Sequence, residues 1–150
     1  MNKSISEKKI EQMIDAALKA RKLAYTPYSH YMVGAALLVC DGTEDNKIIT
    51  GCNIENAAFT PTNCAERTAF FKAISEGQKE FTAIAIVGNK EGVMQGEGDF
   101  CAPCAVCRQF MAEFCDLKTF KVIIAKSTEE YLEYTLEELL PLAFTGNNLE

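Results

Sequence analysis

The sequence predicts a layered α/β domain with a mixed sheet between helices. Amphipathic helical segments alternate along the chain with short, largely apolar strand segments. The first two strand segments are close enough to form a hairpin, whereas later strands are separated by helices, as in strand-helix-strand crossovers. The 150 residues are 48% hydrophobic and 24% charged. This length and composition suit a single domain over residues 1–150 with one hydrophobic core.

The amino-terminal half begins with an amphipathic helix. Its apolar residues recur at helical spacing from Ile10 to Leu18, and Ser4 with Glu7 has the pattern of a capping box. Pro27 disfavours helix at the preceding residue and predicts a turn-rich aromatic segment. The elements predicted in this half are a helix ending near 23–24, a turn at 25–31, hairpin strands at 33–40 and 47–52, and a loop at 53–62.

The carboxy-terminal half begins with a second helix, for which Asn63 is the candidate N-cap and Gly77 the stop signal. Glycines predict a flexible loop over 88–98, and Pro103 suits the first turn of a third helix. The elements predicted in this half are helices at 64–76, from 103 and at 136–140, buried strands at 81–87 and 120–125, and a short strand at 131–134.

Charge and cysteine content restrict the partners and the compartment. The net charge of -6, with a pI near 4.9, argues against binding to nucleic acid or to an anionic membrane through a broad basic face. No secretory signal or membrane span is visible in the sequence. Seven cysteines, an odd number, disfavour a disulfide scaffold. We therefore expect a cytoplasmic protein that binds small molecules and whose cysteines are thiols, nucleophiles or metal ligands.

A cysteine pattern indicates a metal centre. Cys-x-Glu at 64–66 is followed forty positions later by Pro-Cys-x-x-Cys at 103–107. Cys104 and Cys107, three residues apart in a first helical turn, can chelate one ion, and Cys64 lies at the start of another helix. Three thiolates on Zn²⁺ leave the fourth tetrahedral position open for water, as in catalytic zinc sites. The sequence thus predicts one zinc ion per chain.

Neighbouring charged residues suggest the chemistry. Three thiolates around a dication leave a formal charge of -1, which Arg67 and Arg108 are placed in sequence to offset. Glu66 could receive a proton from the bound water and pass it on. These roles suit hydrolytic removal of an amine from an amidine-like carbon, and the pattern matches a zinc-deaminase signature.

Other interpretations of these residues remain open. Glu66, three residues after Asn63, could complete a capping box. Cys104 and Cys107 could be buried core thiols or a redox pair. A non-catalytic zinc module is the alternative from a different functional class, and it would need a fourth protein ligand, for which Cys101 is the nearest candidate.

Over nearly its whole length, the chain resembles homotetrameric cytidine deaminases of the short, three-cysteine type. The motifs that carry this resemblance are AYTPYS at 24–29, VGAAL at 33–37, GCNIENAA at 51–58, NCAERTA at 63–69, PCxxCRQ at 103–109 and ELLP at 138–141. The resemblance implies a three-layer α-β-α fold and hydrolysis of cytidine and deoxycytidine to uridine and deoxyuridine in pyrimidine salvage. It also implies that Cys64, Cys104 and Cys107 bind zinc, Glu66 shuttles the proton and Arg67 pairs with the thiolates.

The same resemblance implies a nucleoside site shared between subunits of a homotetramer. The residues expected to contact the nucleoside are Asn53 and Glu55 at the ribose hydroxyls, Tyr31 as an aromatic beside the nucleoside, and Ala65. Those expected near a neighbouring subunit are Ala57, Phe59 and Phe144.

The chain also departs from the family pattern. The loop from Gly88 to Phe100 is longer than expected, and Ala105 replaces the usual glycine. His30 is expected to be a surface or packing residue, and the remaining thiols, of Cys40, Cys52, Cys101 and Cys115, are expected to be buried. A deaminase of another aminopyrimidine nucleoside, such as blasticidin S, is the runner-up function. The acidic charge disfavours a deaminase of bases in RNA or DNA strands.

Overall fold

A computed structural model describes residues 5–43 and 46–149. Its elements follow the predicted order of helices and strands. They are α1 Glu7–Arg21, β1 Tyr31–Val39, β2 Ile48–Cys52, α2 Ala65–Ser75, β3 Phe81–Lys90, α3 Ala105–Phe114, β4 Lys121–Ala125, β5 Tyr131–Thr135 and α4 Leu136–Leu139, with a final 3₁₀ turn at Gly146–Leu149. In the described ranges, no helix combines the length and the apolar character needed to cross a membrane.

The five strands form one mixed sheet in the order β2-β1-β3-β4-β5. β1 is antiparallel to both β2 and β3, β3 is parallel to β4, and β4 is antiparallel to β5. The predicted hairpin is the β1-β2 pair, and α3 makes the crossover between the parallel strands β3 and β4. The predicted α/β fold with a mixed sheet is therefore confirmed.

Helices cover both faces of this sheet and make three layers. Alternate residues of β1 point to opposite faces, so that Leu37 belongs to the cluster under α2 and α3 whereas Leu38 belongs to the cluster under α1. Phe70 and Met111 fill the first cluster, and Met13 fills the second. The prediction of one hydrophobic core was wrong in this respect, because a sheet buried on both faces divides the apolar interior into two clusters.

Helix starts differ from the predicted starts by one or more residues. In α1, Ser6 is the N-cap and its hydroxyl accepts from the main-chain N–H of Lys9 at 3.2 Å, while the predicted cap Ser4 lies outside the described residues. In α2 the N-cap is Cys64, not Asn63, whose side-chain amide instead donates to Thr68 Oγ1 at 3.1 Å. The predicted N-cap at Asn63 is therefore wrong, and so is the alternative interpretation of Glu66 as its capping-box partner.

The β3 strand extends further than its apolar sequence predicts. It continues to Lys90, three residues beyond the predicted end at Val87, because 88–90 pair with residues of β1. The loop that follows, 91–104, leads directly to α3.

Gly51 on β2 sets how closely α2 approaches the sheet. A Cβ atom at this position would lie 2.4 Å from the main-chain nitrogen of Ala69 and 2.5 Å from the carbonyl oxygen of Ala65. Both neighbours are backbone atoms of α2, so a side chain at 51 can be accommodated only if the helix shifts. The helix start that carries Cys64 and Glu66 therefore depends on a glycine at 51.

Replacing Gly51 with alanine is expected to lower the free energy of unfolding by roughly 1 to 3 kcal/mol, because overpacking forces α2 away from β2. Zinc content should fall as well, since the displaced helix carries Cys64. Thermal denaturation and metal analysis would measure both effects. Gly146→Ala is the matched control because its added methyl group would meet no atom within 4 Å. Equal melting temperatures and zinc contents for the two variants would contradict this account.

Candidate active site

Three cysteine side chains converge where α2 and α3 begin. Cys64 and Cys104 are the N-cap residues of these helices, and Cys107 lies in the first turn of α3. The three Sγ atoms all lie within 4.8 Å of one another, and those of Cys64 and Cys104 are 3.8 Å apart. The sequence predicts Pro103 in the first turn of α3. In the structure Pro103 precedes the N-cap and therefore lies just before that turn.

The donor set fits a zinc ion. With Zn–S bonds of about 2.3 Å, two thiolates of a tetrahedral site lie about 3.8 Å apart, which is the separation of the Cys64 and Cys104 sulfurs. Arg67 donates from Nη2 to Cys64 Sγ at 3.7 Å, and its buried Nε has no hydrogen-bond partner in the described chain. A cationic side chain directed at the sulfurs is what a thiolate-rich metal site requires.

Hydrogen bonds prepare one of these thiols to ionise. The hydrogen bond from Cys107, together with those from Arg67 and Cys104, lowers the pKa of Cys64 to about 5. The pKa of Cys107 is raised because its thiol hydrogen-bonds to Cys64 and is buried. The backbone N–H groups at a helix start also favour a thiolate. The cluster therefore presents a negatively charged sulfur next to Arg67.

Glu66 is buried beside the cluster, with only 4% of its surface exposed. Burial raises its pKa to about 7, and the neighbouring Cys64 charge acts in the same direction. A carboxyl group with such a pKa can both accept and release a proton near neutral pH. Glu66 is therefore not an exposed capping residue, because it is buried and because the N-cap of α2 is Cys64.

Among the described residues Arg108 makes no hydrogen bond to the sulfurs, so that part of its predicted role was wrong, while a contribution through its charge stays a prediction. Its Nε donates to the carbonyl oxygen of Pro103 at 2.8 Å and its Nη1 to that of Leu139 at 2.7 Å. The side chain thus joins the start of α3 to α4. Cys101 is also outside the sulfur cluster, which in the described residues consists of three cysteines.

Glu55 lines a cavity of about 400 Å³, together with Tyr28, Ser29, Phe59 and Thr62. Its carboxylate accepts hydrogen bonds from the main-chain N–H groups of Tyr28 (3.0 Å) and Ser29 (3.2 Å) and from the Ser29 hydroxyl. The Ser29 side-chain bond, with the two main-chain bonds, lowers the pKa of Glu55. The structure thus places an ionised carboxylate at the cavity wall.

Asn53 has a different environment. Its Oδ1 accepts from the N–H of Val33 and its Nδ2 donates to the carbonyl oxygen of Tyr31, both at 2.8 Å. The amide therefore ties the segment after β2 to the edge of β1. Asn53 is not among the residues that line the cavity beside Glu55.

Tyr31 and Ala65, the other two predicted nucleoside contacts, differ in burial. Tyr31 is half-buried and donates from Oη to the carbonyl oxygen of Gly88 at 3.4 Å. Burial raises the Tyr31 pKa to about 12, and the adjacent Cys101 adds to the effect. Ala65 is fully buried as the first residue of α2.

The residues predicted to lie near a neighbouring subunit are all exposed. Phe59 is 73% exposed, has a left-handed backbone conformation (φ 57°) and packs edge-to-face on Tyr28 with ring centroids 6.2 Å apart. Phe144 is 57% exposed, and its carbonyl oxygen accepts from Gln109 Nε2 at 2.8 Å. Ala57 is exposed in the same loop as Phe59.

Sequence reasoning missed several residues of the site. Tyr28, Ser29 and Thr62 line the cavity, but only Tyr28 and Ser29 fall in a motif that could have signalled this, the aromatic turn at 25–31. The expectation for Cys40 was wrong: it is exposed because β1 ends at Val39. His30 is on the surface as expected, with Nδ1 3.2 Å from Glu91 Oε2.

The chain is similar to known proteins. Residues 7–124 match the family model described as the cytidine and deoxycytidylate deaminase zinc-binding region. The chain belongs to this deaminase family. Its cofactor is zinc, which the cysteine cluster at the starts of α2 and α3 fits.

Individual members of the deaminase family align over most of the chain. A cytidine deaminase of Sporosarcina psychrophila is 46% identical over 140 residues, which are 93% of this chain and 94% of the relative. The crystal structure of a cytidine deaminase from Burkholderia pseudomallei has 41% identity and a TM-score of 0.74, covering 89% of this chain and 97% of the other. A blasticidin-S deaminase of Bacillus cereus is 28% identical over 145 residues, which are 96% of this chain and 97% of that protein.

Proposed function

We propose that this protein hydrolyses cytidine and deoxycytidine to uridine and deoxyuridine with release of ammonia. The observation that carries the proposal is the buried Glu66 beside three converging cysteine sulfurs and Arg67. The 46% identity to a cytidine deaminase over 93% of the chain supports the same substrate. We further propose that it acts in pyrimidine salvage, as a single catalytic domain in the cytoplasm.

The direct experiment follows the ultraviolet absorbance change of cytidine and of deoxycytidine, with and without a zinc chelator. Turnover that stops on chelation and returns with added zinc supports the proposal. A protein fully loaded with zinc that leaves both nucleosides unchanged would refute it.

Zinc, when bound by Cys64, Cys104 and Cys107, supplies a water activated for attack at neutral pH. We assign this site to the three-cysteine type because Cys101 lies outside the sulfur cluster. The thiols of Cys64 and Cys107 share a hydrogen bond, so deprotonation of both is part of metal binding.

Glu66 moves the protons of the reaction. Its carboxylate accepts a proton from the attacking water and delivers one to N3 of the pyrimidine ring, which prepares C4 for attack. After the new C4–O bond has formed, Glu66 carries a second proton from the C4 hydroxyl group to the amino nitrogen, the C4–N4 bond breaks as the C4 carbonyl forms, and ammonia leaves. The buried position and raised pKa of Glu66 suit a group that must both accept and donate.

Arg67 offsets the negative charge of the sulfurs. Replacing it with glutamine is expected to lower kcat for cytidine at neutral pH by about 10- to 100-fold, the usual cost of losing a residue that supports a metal ligand. Arg67→Lys, which keeps the charge but loses the planar set of donors, should fall between the wild type and Arg67→Gln. Steady-state kinetics on zinc-loaded protein would measure both. Wild-type kcat in Arg67→Gln would refute this role.

The cavity beside Glu55 is the proposed site of the sugar. An ionised carboxylate accepts hydrogen bonds from ribose hydroxyls, and Tyr28 and Phe59 give apolar walls. Asn53 remains a predicted ribose contact, and it also holds the segment that leads to Glu55 against β1. Tyr31 and Ala65 are the proposed contacts of the base.

Blasticidin S is the competing substrate, because a blasticidin-S deaminase also aligns with 96% of the chain. The higher identity to cytidine deaminases favours cytidine. Parallel assays of cytidine, deoxycytidine and blasticidin S at equal enzyme concentration would separate the two. A larger kcat/KM for blasticidin S would reverse the assignment.

We also propose a homotetramer whose sites lie at subunit boundaries. Exposed aromatic side chains in the loop of Ala57 and Phe59 and at Phe144 are suitable contacts for another copy of the chain. Light scattering should give four times the 16.6 kDa mass of the chain. A fully active monomer would contradict the shared sites.

A further inference from the structure

Arg21, the last residue of α1, ties together main-chain segments that are distant in sequence. Its Nε donates to the carbonyl oxygen of Met32 at 3.1 Å. Its Nη2 donates to the carbonyl oxygens of Asn89 (3.2 Å) and Lys90 (3.0 Å), and its Nη1 to that of Val93 (3.4 Å). One guanidinium group thus joins β1, β3 and the loop after β3.

Gly34 makes this reach possible. A Cβ atom at 34 would lie 2.0 Å from the carbonyl oxygen of Ala17 and 2.5 Å from the main-chain nitrogen of Arg21. The end of α1 therefore lies directly against β1. At this distance Arg21 can reach the end of the β1-β3 ladder.

The residues that Arg21 holds are adjacent to Tyr31 and Gly88. In the β1-β3 register, Tyr31 pairs with Lys90, Met32 with Asn89 and Val33 with Gly88. Arg21 binds the carbonyls of Met32, Asn89 and Lys90, which belong to the first two of these pairs. The hydrogen bond from Tyr31 Oη to the carbonyl oxygen of Gly88 lies at the same end of the ladder.

Cys101 lies against the same end of the ladder. It packs directly on Gly88, since a Cβ atom there would lie 2.6 Å from Cys101 Sγ. Burial raises the pKa of the Cys101 thiol to about 11, and the nearby charges of Glu66 and Cys64 contribute to the increase. Tyr31 and Cys101 thus both contact Gly88, and Cys101 lies three residues before Cys104 of the sulfur cluster.

We propose that Arg21 is a positioning residue for the deamination reaction. By fixing the end of the β1-β3 ladder, it holds Tyr31 and Cys101 in the orientation that receives the pyrimidine ring. Arg21 contacts carbonyl groups of the chain and acts on the reaction through them. An arginine is needed because its planar group can donate to several carbonyls at once, whereas a lysine ammonium is a point charge on a flexible stem. This inference rests on the proposed function.

The test compares Arg21→Gln and Arg21→Lys with the control Lys22→Gln, which removes a positive charge from the adjacent, exposed residue. A displaced ring-binding wall should lower kcat/KM for cytidine by about 10- to 100-fold in Arg21→Gln, mainly through a higher KM. Zinc content should stay at the wild-type value, and Lys22→Gln should keep wild-type kinetics. The kcat/KM of Arg21→Lys should lie between the values of the wild type and Arg21→Gln. If the glutamine variant does not fold, the lysine variant decides the test.

A double-mutant cycle with Tyr31→Phe separates positioning from general stability. If Arg21 acts through the Tyr31-Gly88 contact, the KM effects of Arg21→Lys and Tyr31→Phe will combine to less than their product. Three outcomes would overturn the proposal. The first is KM effects of the two substitutions that multiply, and the second is an unchanged KM in both Arg21 variants. The third is a loss of activity that follows a loss of zinc. Turnover of cytidine by the wild type is measured first. If the proposed function is wrong, the wild type itself is inactive. If only this inference is wrong, the wild type is active and the ratios of variant to wild-type kinetic constants differ from those expected.

Discussion

Replacing Glu66 with alanine is expected to lower kcat for cytidine by roughly 10²- to 10⁴-fold, the usual contribution of a positioned acid-base group. The reason is that the buried carboxyl group beside Cys64 and Arg67 is the one we propose to carry protons between water and substrate. Zinc content should remain at one ion per chain, because Glu66 is not one of the three converging sulfur ligands. Steady-state kinetics and metal analysis of the same preparation would measure both quantities.

Glu66→Gln gives a second measurement with nearly the same side-chain volume. It should be as inactive as the alanine variant, because an amide cannot exchange protons as a carboxyl group does. Glu76→Gln is the matched control, since Glu76 lies at the other end of α2 in a solvent-exposed pair with Lys47. A Glu66 variant that keeps zinc and deaminates cytidine at the wild-type rate would remove Glu66 from the mechanism.

Replacing Cys107 with serine is expected to abolish both zinc binding and measurable deamination. Cys107 is buried between α2 and α3, so loss of its sulfur leaves two ligands, one of them exposed. The variant should also unfold at a lower temperature. Bound metal at 1,000 times its Kd stabilises a folded protein by about 4 kcal/mol, and the variant loses this contribution. Metal analysis, cytidine turnover and thermal denaturation would test the three expectations.

Two other cysteines provide the controls for Cys107. Cys40→Ser changes an exposed thiol away from the cluster and should retain zinc and activity. Cys101→Ser should also retain zinc, because a catalytic three-cysteine site does not use a fourth sulfur. X-ray absorption should find three sulfur atoms at about 2.3 Å from the metal. Four sulfurs, or zinc loss in Cys101→Ser, would instead indicate a closed structural site.

Two of the three sulfurs that we propose as zinc ligands could be paired from sequence, because their spacing is a local property. Cys104 and Cys107 are three residues apart at the start of one helix, and the hydrogen bond from Cys107 N to Cys104 Sγ at 3.4 Å follows from that spacing. Cys64 shows the limit of such reasoning. The sequence places it at a helix start, but only the packing of α2 beside α3 brings its sulfur to 3.8 Å from Cys104.

The two arginines next to the motifs could not be distinguished by sequence position. Each directly follows a residue of the candidate site, and the same role was predicted for both. Arg67 does reach Cys64, whereas Arg108 turns to the carbonyl oxygen of Leu139, 31 positions along the chain. The partner of a long side chain depends on which distant acceptor the fold brings near, and no local pattern encodes that acceptor.

By itself, the sequence determined the alternation of helices and strands, the sulfur donor set and the acidic character that disfavours a nucleic-acid partner. These properties depend on residue type and on spacings of a few positions. Tertiary structure decided the burial of Glu66, the division of the core by the sheet, and the hold of Arg21 on the strand ends beside Tyr31. These features arise from contacts between segments far apart in the chain, whose distances and shielding from water exist only after the layers have packed.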